Sequence, residues 1–189
     1  VIPTPPARAR QRLSRTIVRA LADPGARDEL ARLAEDPSAV RAWFGPGPPG
    51  VGARLRARAV RAWSLLRDRP LAPWPLPLSQ ALEWAALLFD GGLGFEVHEL
   101  LEPYWRDGRG EEREAVQGLI QIAAGYQHLA DGRPEAARRL LCAGTSRLAG
   151  RRLAGLPLEG FTAAVKASLG RLATEGVEPP PFPRASPDP

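Results

Sequence analysis

Apolar residues recur at helical spacing through most of the chain, and no stretch alternates with the two-residue period of a strand. Leu13, Ile17 and Leu21 share one side of a helix predicted over residues 7–22, with Arg8, Arg12, Arg15 and Arg19 on the other. Asp23-Pro24 and Asp36-Pro37 each pair an N-cap with a proline suited to a first helical turn, which predicts helices over 24–36 and 37–44. Val40, Trp43 and Phe44 would anchor the second of these. Gly45 to Gly50 alternates glycine and proline and must be a loop. Helical spacing resumes over 52–67 through Leu55, Ala59, Trp63 and Leu66. It stops at Pro70 to Pro77, an extended linker that Trp74 is expected to pin.

Beyond the linker, Ser79 is expected to cap a helix that carries Leu82, Ala85, Ala86 and Phe89 before Asp90-Gly91-Gly92 ends it. Further helices are predicted over 93–106, 112–130, 134–149 and 158–173. From Gly176 onward six prolines and few apolar residues predict a disordered tail. The class is all-α: a helical bundle over 79–175 in which one central helix, about 112–130, is surrounded by the others. It is preceded by an Arg-rich helical region over 1–70 and a Pro-rich linker over 71–78, and followed by the tail, 176–189.

The central helix carries a polar stripe that a buried helix does not ordinarily have. Gln117, Gln121, Ala124 and His128 fall within about 60° of one another, while Leu119, Ile120, Ile122, Ala123 and Tyr126 cover the rest, so the helix reads as buried all round. Each buried polar group left unsatisfied costs about 1–3 kcal/mol, so these side chains require partners. The preceding helix offers them: His98 and Glu102 sit one turn apart with Glu99 between. Two facing helices with a polar seam are therefore expected.

Charge narrows the partners. The net charge is +5, yet residues 1–70 hold 14 arginines against 6 acidic residues, while the remainder holds 12 basic against 15 acidic. Arginine stripes of this kind can grip nucleic acid or an acidic protein, although a solvated face explains them as well. Lys166 is the only lysine, so arginine fills almost every cationic position regardless of role. A lone cysteine, Cys142 among apolar neighbours, excludes a disulfide framework, and no apolar run is long enough to span a bilayer. The expected setting is cytoplasmic, with no membrane partner.

At the seam, His98 and Glu102 have the i, i+4 spacing with which one helix presents two metal ligands, and His128 would add a third from the facing helix. Glu99 stands where the acid/base glutamate of His-Glu-x-x-His hydrolases stands. A mixed imidazole and carboxylate set suits zinc, manganese or iron. Glu96, Arg113, Gln117 and Gln121 would bind a small-molecule ligand or orient the metal ligands. The alternative is a non-catalytic network that fixes helix packing, with Glu96 serving the helix dipole or pairing with Arg113. Whether the protein is an enzyme stays open at this stage, as does its oligomeric state, a homo-oligomer included.

The segment Phe89-Asp90-x-Gly92-x-x-Phe95-Glu96-x-His98-Glu99-x-Leu101-Glu102-x-x-Trp105, followed by Arg113-x-x-x-Gln117-Gly118-Leu119-Ile120-Gln121-x-Ala123, resembles domain-of-unknown-function family 309. The resemblance covers about residues 79–173, with Glu96 to Glu102 (EVHELLE) and Gln117 to Gln121 (QGLIQ) as its motifs. It implies a small helical bundle with one enclosed helix and implies no activity. Two departures stand out: Asp90 where that family usually has Asn, and Gly94 where an aromatic is common. The second implies a looser start to the helix bearing His98.

Overall fold

The computed structural model describes residues 7–45, 48–171 and 177–184. It divides into two compact units, Val1–Leu76 and Pro77–Pro189.

The first unit holds α1 (Ala7–Arg19), α2 (Pro24–Glu35), α3 (Pro37–Phe44) and α4 (Val51–Leu66). Leu13, Ile17, Leu30, Leu55 and Leu66 are buried in it, as the apolar stripes require. The two Asp-Pro signals act as expected. Asp23 accepts the N–H of Ala26 at 3.1 Å and Asp36 that of Ser38 at 2.7 Å, satisfying amide groups that open α2 and α3. These bonds to the ionised form hold both carboxyls below the usual carboxylate range, Arg19 being the first cause at Asp23 and the Ser38 hydroxyl at Asp36. The tryptophans are tied through their indole nitrogens: Trp43 donates to Glu29 at 2.7 Å and Trp63 to Glu35 at 3.0 Å. The loop expected over 45–50 includes residues 46 and 47, which lie outside the described set. Trp74 does not pin the linker, since its side chain is exposed. The hold comes from backbone, the N–H of Ala72 donating to the carbonyl of Leu21 at 2.7 Å.

The second unit is built on α5 (Leu78–Asp90), α6 (Gly94–Asp107), α7 (Gly110–Ala130), α8 (Pro134–Leu148) and α9 (Glu159–Leu169). Ser79 lies inside the first turn of α5 instead of capping it; the flanking position is Pro77. α7 is the centre. It packs along α6 and α8, its Tyr126 ring meets Phe89 of α5 edge-on at 5.8 Å, and the Tyr126 hydroxyl is 2.6 Å from that of Ser168 on α9.

Glycine sets the spacing between α7 and α8. A Cβ on Gly118 would lie 2.6 Å from a Leu148 methyl, and one on Gly144 would lie 2.8 Å from the Gly118 carbonyl oxygen. Both distances are shorter than a side chain tolerates, so the two backbones approach as closely as they do only because these positions are bare. The Glu114–Arg147 ion pair joins the same two helices.

Three further features depart from expectation. A small antiparallel hairpin, β1 (Arg152–Leu153) and β2 (Leu156–Pro157), lies between α8 and α9, with Ala154 and Gly155 both at positive φ in its turn. Cys142 is exposed on α8, because its apolar neighbours face inward and leave it on the outer side. Of the tail expected to be disordered over 176–189, residue 176 and residues 185–189 lie outside the described residues. Residues 177–184 are described, and Phe182 is buried against Phe89 and Phe161, at ring-centroid distances of 5.1 and 5.6 Å. Low apolar content gave the wrong expectation there because a single aromatic anchor suffices where rings are waiting for it.

Candidate functional site

α6 and α7 pack as a helical hairpin whose register is set at its two ends. At one end a Cβ on Gly94 would stand 2.4 Å from the Ala123 carbonyl oxygen and 3.2 Å from Cβ of Gln127. At the other the Arg113 guanidinium lies over the Trp105 ring, 4.9 Å from its centroid. Moving along α6 from 94 to 105 therefore means moving back along α7 from about 125 to 113. At 1.5 Å per residue on both rods, His98 comes level with Gln121 and Glu102 with Gln117. Gly94 is completely enclosed by this approach. The start of α6 is thus packed closely against α7.

Along this face the side chains of His98, Glu99 and Glu102 converge. One ligand atom from each lies within 4.8 Å of the others, and all three residues are half-buried. Helical geometry explains the convergence, since positions 98, 99 and 102 occupy one side of a single turn. Pro103 lies inside the same helix and cannot donate the usual amide bond to the Glu99 carbonyl, so this turn is held by one helical bond fewer. Glu102 accepts from Arg106 at 2.9 Å.

His128, expected as the third ligand, is not in this group; the third donor is Glu99. The register supplies the reason: His128 lies more than a turn beyond the level of His98, past the start of α6, and its imidazole meets Phe95 edge-on at 6.5 Å. Arg113 stacks on Trp105. Glu96 itself is fully enclosed at the start of α6.

The stripe Gln117, Gln121, Ala124 and His128 forms the one half-open side of α7. The expectation of a helix buried all round is thus corrected: polar residues occupy these positions because water reaches part of them. Burial is uneven atom by atom, however, and the Gln121 Oε1 is enclosed without a hydrogen-bond donor. That orphaned oxygen was not foreseeable from spacing, which cannot separate one atom of an amide from the other.

Two arginines of the α1 stripe are engaged within their own unit. Arg12 lies 4.1 Å above the Trp43 ring and donates to the Trp43 carbonyl at 2.9 Å, while Arg19 pairs with Asp23 at 2.6 Å. No helix among the described residues is long and apolar enough to cross a membrane.

Residues 82–140 match the family model described as "Domain of unknown function (DUF309)". The matched stretch runs from α5 into α8 and contains the His98 cluster, both glutamines and the Gly94 contact. No curated protein and no solved structure matches the chain.

Proposed function

We propose that the half-open face of α6 binds a divalent cation and that the protein uses it for hydrolytic chemistry on a small-molecule ligand held between α6 and α7. The observation that carries this reading is the convergence of His98, Glu99 and Glu102, whose donor atoms lie within 4.8 Å of one another. Donors around a small divalent ion stand about 2.0–2.2 Å from it, hence roughly 3.5 Å apart, a contraction within the reach of glutamate rotamers. One imidazole with two carboxylates suits zinc, manganese or iron. The exposed Arg106–Glu102 pair contributes little and yields readily to a stronger partner.

When bound, such an ion acidifies a water molecule and polarises a carbonyl or phosphoryl group. Glu99 then serves as a ligand instead of a free base. Gln117 and Gln121, level with Glu102 and His98, orient the substrate, and the buried Gln121 oxygen offers an acceptor for a substrate N–H or O–H.

Elemental analysis of the purified protein tests this. About one equivalent of metal is expected in the wild type and none in His98→Ala, with both variants folded. Metal-free wild-type protein that gains no thermal stability from added zinc, manganese or iron would remove the reading. A packing network is the second reading, favoured by the existing Glu102–Arg106 bond. Under it, His98→Ala would lose stability equally with and without metal.

A further inference from the structure

The tail meets the bundle through contacts that none of the seam residues share. The backbone N–H of Phe182 donates to Asp90 Oδ1 at 3.0 Å, and the Arg184 guanidinium pairs with Asp90 Oδ2. Both carboxylate oxygens of one residue thus read two features of one passing segment, a free amide and a cation two residues on. Between them the Phe182 ring is 1% exposed, set against Phe89 and Phe161. Prolines at 181 and 183 flank it and remove the neighbouring amides, so the segment cannot dock as a sheet strand and is recognised by its anchor and its charge.

The segment does not fill the space beside it. A cavity of about 510 Å³ remains between the tail prolines and a wall made by Gly155, Leu156, Pro157, Gly160 and Ala164. Those wall residues carry no charge; the charge at the cavity's edge is the tail's own Arg184, which pairs with Asp90 at the anchor.

We propose that the corner formed by Phe89, Asp90 and Phe161 is a peptide-binding site for extended, proline-flanked segments that present Phe followed two residues later by Arg, and that the chain's own tail is its resident competitor. One ring, one amide and one partly exposed ion pair constitute a hold that an external segment of the same chemistry can displace. The unfilled cavity accommodates bulkier residues than Pro180 and Pro181 on the N-terminal side of the anchor. The aspartate at position 90 suits this role, because its carboxylate attracts the arginine while accepting the amide.

The test uses the full chain. A fluorescent peptide of residues 177–189 is titrated with wild-type protein, with Phe182→Ala, whose anchor position is vacated, and with Phe182→Ala/Asp90→Ala. Anisotropy should report saturable binding to Phe182→Ala, at least tenfold weaker binding to the wild type, and at least tenfold weaker binding to the double variant. A peptide carrying Ala in place of its Phe should also bind at least tenfold more weakly. Folded Phe182→Ala that fails to bind, or that binds both peptides alike, overturns the proposal. Equal binding by wild type and Phe182→Ala overturns the competitor role. A wild-type dimer dissociated by excess peptide does so too, by assigning the tail to a second copy. Should Phe182→Ala not fold, Arg184→Glu keeps the ring and repels Asp90; it must bind the peptide at least threefold more tightly than wild type, or the proposal fails.

Discussion

Toward α8 the central helix presents glycine; on its half-open stripe it presents Gln117, Gln121 and His128. The first side is dry and leaves no room for a methyl group at Gly118 or Gly144, whereas the second closes at Gly94 and then stays half-open past His98 and Glu102. One helix therefore has a side devoted to fixing position and a side free to carry polar groups, and the first makes the second affordable. Rigid backing is what allows half-buried polar side chains to keep their geometry.

The largest effect should come from filling the dry side. Gly144→Val drives a side chain into the Gly118 carbonyl and the Ile122 side chain. It should cost about 3 kcal/mol or more in urea unfolding, since backbone cannot yield as a side chain does. Next comes Gly94→Ala, on the polar side, where the new methyl meets the Ala123 carbonyl. About 2 kcal/mol is expected, offset slightly by the better helix propensity of alanine. If Gly94→Ala proves as costly as Gly144→Val, the contrast between the sides is false.

A smaller effect is expected at Tyr126, where the central helix meets α9. Tyr126→Phe removes the bond to Ser168 and should cost about 1 kcal/mol. Burial pushes the Tyr126 hydroxyl above its ordinary pKa of 10.0. The folded state thus holds this proton more tightly than the unfolded state. Its contribution is whole below about pH 10 and is lost as pH rises through the folded value. A wild-type stability curve that falls above pH 10 more steeply than that of Tyr126→Phe would bear this out; parallel curves would refute it.

The smallest change should be Gln121→Leu. Removing an enclosed acceptor that has no donor should be neutral or stabilising by up to about 1 kcal/mol in metal-free protein. The same substitution on the α8 side of the helix, at a glycine, would be disruptive. A loss above about 1 kcal/mol would mean that Gln121 is already satisfied and that the polar side is as closed as the dry one.

Much of this arrangement was legible because helix ends announce themselves chemically. Asp23 and Asp36 bond the amides they were expected to bond, and Asp90-Gly91-Gly92 and Asp131-Gly132 stop α5 and α7 with Gly92 and Gly132 at φ of 71°. The apolar girdle of α7 also follows from period alone. What could not be read depends on register between distant residues. Spacing along α7 puts His128 on the stripe with Gln121, yet only the folded chain shows it against Phe95 and outside the His98 group. The hairpin escaped notice because its strands are two residues long and its turn uses Ala154-Gly155 in place of the usual Asn-Gly. Phe182 escaped because its docking surface is assembled from residues more than twenty positions away in sequence.

Gly94 has a consequence that reaches past its own turn. Because nothing but hydrogen separates that α-carbon from the Ala123 carbonyl, the gap between the two rods is gauged by an atom too small to compress. A bulkier residue there would act as a wedge, swinging the start of α6 outward and carrying the imidazole and both glutamates away from the amides opposite.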